Sequence, residues 1–239
     1  MTIDFHAHIL PRCDHGCHSS AMALEQLKLI RSYGTDAVVA TPHFYPNEDS
    51  IASFLSGRDG AVSALRRKLP LEDLPTVYAG AEVLVCEGLH KMEGLERLAI
   101  AGTNVILLEM PIGRWSDLLF DTVLGVRDRG LIPVLAHIDR YDMNAVNVLL
   151  DKGILAQVNV EAFGLFKSAR PYVELMRAGK VVALGSDLHK VKRKAYRHFA
   201  RVKRKLGPLA DEVFARTAEL LKAATPITAP QTAENPQTV

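Results

Sequence analysis

The N-terminal segment DFHAHILPRCDHG, residues 4–16, concentrates side chains that can bind a metal ion. His6, His8, Asp14 and His15 lie within thirteen residues of an otherwise largely apolar stretch. In an extended strand alternate side chains share a face, so His6 and His8 point to the same side. Imidazole and carboxylate together, without thiolate, suit Zn²⁺, Mn²⁺ or Fe rather than a soft metal.

Similar side chains recur where other predicted strands end. Short aliphatic or β-branched runs predict seven strands, at 2–9, 36–41, 76–85, 104–110, 132–137, 155–160 and 181–186. Six of the seven carry His, Asp or Glu at their C-terminal ends, and beyond the N-terminal segment these are His43, Glu82, Glu109, His137, Asp187 and His189. The carboxyl ends of parallel strands meet at one face, where (β/α) barrels build their sites, so we expect one polar cluster.

The segments between the strands have helical spacing of apolar residues. They predict helices at about 19–33, 51–69, 88–101, 115–129, 142–152, 168–178 and 190–205. Several strand runs lack polar alternation, which is typical of parallel strands covered on both faces. Alternating strands and helices indicate an α/β protein, either a closed barrel or a doubly wound sheet.

The chain length and its final segment define the domain organisation. A chain of 239 residues fits one large domain or at most two small ones. We predict one domain over 1–224, since no interdomain linker is evident. The last stretch, 225–239, has three prolines and one charged residue, Glu234. Such a composition buries too little apolar surface to order itself, so we expect a flexible tail.

Composition limits the classes of partner and compartment. The formal net charge of +2 is too small to indicate bulk attraction to nucleic acid or membrane. Cys13, Cys17 and Cys86 are too few for a disulfide framework, and no apolar run approaches the length of a membrane span. The N-terminus lacks the pattern of a secretory signal. We expect a soluble cytoplasmic protein. The nine Lys and Arg of 190–205 are expected to line mainly a solvated helix face.

Nine residues are candidate metal ligands: His6, His8, Asp14, His43, Glu82, Glu109, His137, Asp187 and His189. Any one of them alone could be a hydrogen-bonded core histidine, a helix cap or a salt-bridge partner. Together they place so many charges in the interior that a common counter-charge is needed. Nine ligands exceed the needs of one ion, so we expect two or three ions sharing a bridging carboxylate. Adjacent ions can activate water and clamp the oxygens of a phosphate ester.

The motifs HAH, D-x-G, TPH, GAE, LLE, AHxxRY and SDxH occur in this order between His6 and His189. This series resembles the PHP superfamily of metal-dependent phosphoesterases, and most closely the bacterial PHP-type protein-tyrosine phosphatases of capsule and exopolysaccharide clusters. The resemblance implies a distorted (β/α)7 barrel of the TIM type. It also implies hydrolysis of a phosphomonoester, phosphotyrosine on a protein, in the regulation of capsular or exopolysaccharide synthesis.

The resemblance also implies residue roles, with three divalent ions, Mn²⁺ as the first expectation and Fe or Zn as alternatives. The implied ligand sets are His6, His8, Glu82 and Asp187; then Glu82, Glu109 and His137; then Asp14, His43 and His189. Arg140 is implied as a phosphate contact, because a guanidinium fork matches phosphate oxygens. Arg193 is a weaker candidate for a second one. A metal-bound hydroxide is expected to attack phosphorus, with Asp14, His43 or a metal-bound water left open as proton donor.

Three features depart from the family pattern, and one follows SDxH, where the family tends to show Asn and a later Arg but this chain has Lys190, Lys192, Arg193 and Lys194. The family's DDG is DHG here, which leaves His15 without an assigned role, and its HPER is HIDR, residues 137–140. The implied partner is a phosphotyrosine protein, with a cognate tyrosine kinase as one case. No nucleic acid or membrane insertion is expected, and the oligomeric state is left open.

Other functions remain as alternatives. Another PHP phosphoesterase, of the histidinol-phosphate type, another small-molecule phosphatase or a nuclease, would use the same ligands. An amidohydrolase also begins with HxH on a strand, but no strand end here offers the bridging lysine. A non-catalytic metal-binding regulatory partner is less favoured, since every metal position is filled. A cysteine phosphatase is excluded, because the residues six after each cysteine are Ser19, Ala23 and Met92 rather than Arg.

Overall fold

A computed structural model describes residues 1–69, 73–164 and 168–228, in which strands and helices alternate. The strands are β1 (Ile3–Ala7), β2 (Ala37–Ala40), β3 (His43–Phe44), β4 (Thr76–Ala79), β5 (Glu82–Leu84), β6 (Val105–Glu109), β7 (Ile132–Leu135), β8 (Leu155–Asn159), β9 (Val181–Gly185) and β10 (Pro226–Ile227). The α-helices are α1 (Ser20–Ser32), α2 (Ile51–Arg66), α3 (Asp117–Asp128), α4 (Met143–Asp151), α5 (Arg170–Arg177), α6 (Arg193–Leu206) and α7 (Pro208–Leu220). Short 3₁₀ helices cover Leu89–Lys91, Leu95–Leu98, Ile138–Arg140 and Val160–Phe163.

The strands form two sheets, in the orders β1-β2-β4-β10 and β3-β5-β6-β7-β8-β9. All pairs are parallel except β10 with β4. Two residues separate β2 from β3, and two separate β4 from β5. Since β2 pairs with β4 and β3 with β5, β2 and β3 form one interrupted strand and β4 and β5 form its interrupted neighbour. Beyond β9, Asp187 N donates to His6 O at 2.8 Å and His8 N to Leu188 O at 2.9 Å, which ties β1 to the last strand.

The strand interiors make the core. Every residue of β1, β2 and β9 is buried, as expected for strands covered on both faces. Helix α7 packs outside β9, where the buried Thr217 hydroxyl donates to Val182 O at 2.6 Å. Ser19 caps the N-terminus of helix α1, because its side chain accepts from Met22 N. Within the described ranges every helix is too short or too polar to cross a bilayer.

The seven predicted strands are confirmed, but three other features differ. The predicted helix 88–101 is wrong: Gly88 and Gly94 adopt φ of 82° and 79°, and the left-handed turns split the segment into two 3₁₀ helices. Helix α7 lies in a stretch for which no helix was predicted. The first residues of the predicted tail, Pro226–Ile227, pair with β4 and so belong to the sheet. Residues 229–239 of that tail lie outside the described residues.

Candidate metal centre

The nine candidate ligands lie at one end of the parallel strands. His6 is in β1, His43 opens β3, Glu82 opens β5 and Glu109 ends β6, while the other five lie in segments that follow strands. They are His8, Asp14, His137, Asp187 and His189. The structure therefore brings together residues that are as much as 183 positions apart in the chain.

Glu82 is the centre of the cluster. Its Oε2 lies 3.0 Å from His6 Nε2, 3.3 Å from His8 Nε2 and 3.1 Å from His43 Nδ1, and its Oε1 lies 2.7 Å from His137 Nε2. Burial alone would raise the pKa of this carboxyl, but the charge of His6 and the hydrogen bond from His137 hold it well below its usual value. One ionised carboxylate therefore faces four imidazoles with its two oxygens.

Asp187 is the second buried carboxylate of the cluster. Its Oδ1 lies 3.3 Å from His8 Nε2 and 3.4 Å from His189 Nδ1, while Oδ2 accepts from Arg140 and from Asn159 Nδ2. Burial opposes ionisation, yet the charge of His6 and the hydrogen bond from His8 lower the pKa of Asp187. Its two oxygens thus face different sides, one towards imidazoles and one towards donors.

The imidazoles beside these carboxylates stack on one another. His189 lies 3.9 Å from His8 between ring centroids, at an interplanar angle of 19°. His15 continues this stack on the exposed side, 4.6 Å from His189 and 5.1 Å from His43. His15, the residue that replaces the family's second acid, therefore lies against the cluster without joining its buried part.

Asp14 and Glu109 occupy the edge of the cluster and differ in charge. Although burial opposes ionisation of Asp14, the hydrogen bond from His8 Nδ1 at 2.6 Å and the charge of His8 lower its pKa to about 2. Burial and the neighbouring Glu82 raise the pKa of Glu109 to about 7. Asp14 also accepts from His43 N at 3.2 Å, so its carboxylate lies between His8 and His43.

The donor atoms of the cluster fit divalent cations. Four groups of three have atoms within 4.8 Å of one another: His8, His43 and His189; His6, His8 and Asp187; His6, Glu82 and His137; His43, Glu82 and Glu109. His6 Nε2 and His8 Nε2 approach to 3.2 Å, and His43 Nδ1 and Glu82 Oε2 are buried without a hydrogen-bond partner among the described residues. A cation would satisfy such converging nitrogen and oxygen atoms. The structure places His8 with His43 and His189, where the resemblance implies Asp14.

Two ligand positions have a backbone conformation that is uncommon outside glycine. His137 has φ 31° and Asp187 has φ 51°. Residues held in such regions cost about 1–3 kcal/mol each and persist where the surrounding structure fixes them. Each lies just beyond the end of a strand, His137 after β7 and Asp187 after β9, and the turn there aims its side chain back into the cluster.

Arg140 and Arg193, the predicted phosphate contacts, lie in different surroundings. Arg140 ends a 3₁₀ helix, and its guanidinium bonds to Asp187 at the edge of the cluster. It also lines an open cleft of about 680 Å³ together with Arg114, Trp115 and Tyr141. Arg193 is the exposed first residue of α6 and makes no hydrogen bond or ion pair to another described residue. Its role therefore stays a prediction.

Two buried amides of β8 were missed by the sequence analysis. Gln157 contacts His6 and the backbone of His137, and Asn159 contacts Asp187. The available signal was weak: β8 ends in Asn159 and no candidate ligand follows it, although candidate ligands follow the strands on either side of it.

Several known proteins are similar to this chain in sequence. A family model described as "Capsular polysaccharide synthesis, CpsB/CapC" matches residues 2–220. The tyrosine-protein phosphatase YwqE of Bacillus subtilis (strain 168) is 28% identical over 207 residues, covering 80% of this chain and 78% of YwqE. The tyrosine-protein phosphatase CpsB of Streptococcus pneumoniae is 27% identical over 168 residues, covering 66% and 67%.

Solved structures show the same fold. A crystal structure from work on YwqE of B. subtilis and CpsB of S. pneumoniae, described as unique metal-dependent tyrosine phosphatases, matches with a TM-score of 0.73 at 22% identity. The match covers 97% of this chain and 100% of that chain. A β-aspartyl dipeptidase from Fervidobacterium islandicum AW-1 matches with a TM-score of 0.52 at 13% identity, over 97% and 78%. At these identities the likeness concerns the fold alone.

Proposed function

Because the chain belongs to the CpsB/CapC family of capsular polysaccharide synthesis proteins, we propose that it is a metal-dependent phosphatase that hydrolyses phosphotyrosine on a protein. The observation that carries this proposal is Glu82, a buried ionised carboxylate that faces four imidazoles at the strand ends. The two curated relatives named as tyrosine-protein phosphatases support the choice of substrate. The regulation of capsule or exopolysaccharide synthesis is the proposed setting.

The proposed centre holds three divalent ions, with Mn²⁺ as the first choice. His6, His8 and Asp187 would hold one ion with Glu82, and Glu82 would bridge to a second held by Glu109 and His137. His43 and His189 would hold the third, with Asp14 beside them. Divalent ions at these positions would supply positive charge to the phosphate oxygens and activate the attacking water at neutral pH.

Arg140 is the residue proposed to bind and orient the phosphate. A guanidinium has five N–H donors, and its bond to Asp187 leaves the others available at the edge of the cluster. The side chain is 42% exposed, so a phosphate oxygen can reach it from solvent. Arg140 would thus hold the ester in line with the attacking water and stabilise charge that develops on the phosphate.

The two side chains considered as proton donors, Asp14 and His43, are better suited to hold cations. The pKa of Asp14 is about 2, so its carboxyl is ionised at neutral pH. Burial lowers the pKa of His43 to about 4, so its imidazole is neutral and offers a lone pair. Neither group carries a proton to give near pH 7. A tyrosine leaving group, with a pKa near ~10, depends less on such a donor than an alkyl group does.

The proposed substrate is a phosphotyrosine protein, including a cognate tyrosine kinase, and the proposed compartment is the cytoplasm. The three cysteines, Cys13, Cys17 and Cys86, are free thiols, which agrees with a reducing environment.

Activity of the Mn²⁺-loaded protein on a phosphotyrosine peptide tests the proposal, with the matched phosphoserine peptide measured beside it. We expect turnover of the first, its near-complete loss in His6→Ala, and a fall in kcat/KM of about 10²–10³ in Arg140→Ala, the scale of losing one charge-stabilising donor. Arg127→Ala, which removes an exposed arginine paired with Asp128, serves as the control and should leave kcat/KM unchanged. Absence of phosphotyrosine turnover in protein with bound Mn²⁺ would contradict the proposed substrate.

A further inference from the structure

We infer that Gln157 and Asn159 of β8 are positioning residues that fix the orientation of His6 and Asp187 for cation binding. This inference rests on the proposed metal centre. Of the strands that meet at the cluster, β8 supplies none of the candidate ligands, yet it carries two buried amide side chains. These amides form a chain of hydrogen bonds from one ligand to the other, and the direction of every bond in it is determined.

The first part of the chain sets the ring nitrogens of His6. Gln157 Oε1 accepts from the backbone N–H of His137 at 2.7 Å, and since a backbone N–H can only donate, this bond fixes which amide atom is the oxygen. His6 Nδ1 lies 3.3 Å from the same oxygen and must therefore carry the proton. When His6 is neutral, as cation binding requires, its Nε2 then faces Glu82 and His8 with its lone pair.

The second part of the chain sets the carboxylate of Asp187. Because the oxygen of Gln157 is fixed, its Nε2 donates to Asn159 Oδ1 at 2.9 Å. Asn159 Nδ2 is then free to donate to Asp187 Oδ2 at 3.2 Å. Arg140 donates to the same oxygen. Asp187 Oδ2 is thus occupied by donors, and Oδ1 is the oxygen that remains for a cation beside His8.

The packing around Gln157 holds this arrangement in place. Gln157 is fully buried and Asn159 is 2% exposed. A Cβ atom at Gly185 would lie 2.5 Å from Gln157 Nε2 and 2.7 Å from His6 Cβ, so only glycine at this position of β9 leaves room for both side chains. Hydrogen bonds to ligands from such neighbours typically change metal affinity by about 10–100-fold when removed.

A titration of metal-free protein with Mn²⁺ alone tests the inference. Gln157→Leu keeps the approximate size of the side chain and removes its three hydrogen bonds, to His6, His137 and Asn159, so we expect Mn²⁺ binding weaker by about 10–100-fold. Gln26→Leu is the matched control: Gln26 is also fully buried, in α1, but both of its amide atoms lack a partner among the described residues. That variant should bind Mn²⁺ as the unaltered protein does. Thermal unfolding in chelator shows whether each variant is folded.

The position of the His6 proton gives a second readout that does not depend on affinity or activity. In the Zn²⁺-loaded protein, ¹⁵N NMR should show a proton on His6 Nδ1 that is protected from exchange. Gln157→Glu still accepts at this nitrogen, so it should keep the proton while losing the donor to Asn159, with Mn²⁺ affinity between those of Gln157→Leu and the unaltered protein. A proton on Nε2, or equal Mn²⁺ affinity in folded Gln157→Leu, would overturn the inference. Failure of the unaltered protein to bind Mn²⁺ would instead refute the proposed centre.

Discussion

His8 lies among three carboxylates, and this makes cation binding a proton-linked event. Burial opposes a charged imidazole, but hydrogen bonds to Asp14, Asp187 and Glu82 raise the pKa of His8 well above its usual value. The pKa of His6 is also raised, since the charges of Glu82 and Asp187 outweigh its burial. Protons thus take the place of cations in the metal-free cluster, because its carboxylates need positive charge.

Because protons take the place of cations in the metal-free cluster, we predict that cation binding releases protons near neutral pH. An imidazole binds a metal ion only through an unprotonated nitrogen. His6 and His8, whose pKa values are raised, must therefore lose protons when cations bind. The affinity for cations should rise as the pH rises through the neutral range. Calorimetric titrations with Mn²⁺ in buffers of different ionisation enthalpy count the released protons, and we expect at least about one per protein. The exposed His18 lies outside the cluster, so His18→Gln should give the same number. A binding enthalpy independent of the buffer would contradict the prediction.

At the residue scale, the clustering of the candidate ligands was predictable and the buried amides that contact them were not. His137 and Asp187 could be placed at the cluster because each closely follows an apolar strand, and strand ends of one direction meet at one face. Gln157 carries no such signal, since a buried amide in a strand has meaning only through its neighbours on β1 and β7. The pairing of imidazoles with carboxylates also depends on the directions of the side chains, and Asp14 is an example because it contacts His8.

At the scale of elements, period and composition predicted the seven strands but misjudged two helical segments. Apolar positions in 88–101 have helical spacing, yet Gly88 and Gly94 adopt left-handed conformations directly before two short 3₁₀ helices, so that no continuous helix forms. Helix α7 was missed although Pro208 at its first position and buried Val213 and Phe214 are ordinary signs of a helix. Glycine and proline were decisive in both segments, because they change the backbone more than apolar spacing does.

The loop between β1 and α1 depends on one glycine for its fit to the cluster. A Cβ atom at Gly16 would lie 2.5 Å from His8 Cβ and 2.9 Å from Asp14 Oδ1, and Gly16 N donates to that same oxygen at 2.8 Å. We predict that Gly16→Ala pushes Asp14 away from His8, lowers the melting temperature and weakens Mn²⁺ binding by at least about tenfold, the scale seen when a group supporting a ligand is lost.

The control for this substitution is a glycine with open space around it. Gly57 lies in the exposed part of α2 with no atom within 4 Å of the added Cβ, so Gly57→Ala should raise stability by about 0.5–1 kcal/mol through helix propensity and leave Mn²⁺ binding unchanged. Equal melting temperatures and Mn²⁺ affinities in Gly16→Ala and the unaltered protein would show that the loop can shift at little cost.

Charge is distributed unevenly over the whole molecule. The net charge is only +2, but the segment 190–205 carries nine basic and no acidic residues, which leaves 20 basic against 27 acidic residues in the rest of the chain. This segment begins directly after His189, a candidate ligand, and continues along α6. Tyr196, Phe199 and Val202 face the core, and none of the basic residues forms an ion pair with another residue in the described part of the chain. The positive surface is therefore unneutralised and starts beside the site.

From this distribution we predict that salt weakens hydrolysis of an acidic phosphotyrosine peptide more than hydrolysis of p-nitrophenyl phosphate. Screening acts on exposed charges separated by more than the Debye length, about 10 Å at 0.1 M salt, and a peptide spans that distance whereas the small ester does not. Raising NaCl from about 0.05 to 0.5 M should lower kcat/KM for the peptide by about three- to tenfold, a modest share of the range known for electrostatic steering.

The triple variant Arg197→Ala, Arg201→Ala, Arg204→Ala should reduce this salt dependence, because it removes exposed charge from α6 without touching the candidate ligands. The control variant neutralises Arg66, Arg67 and Lys68, which are exposed at the end of α2. It changes the net charge equally but should leave the salt dependence as it is in the unaltered protein. Equal salt effects in the two triple variants would mean that net charge, rather than its position on α6, governs the encounter with substrate.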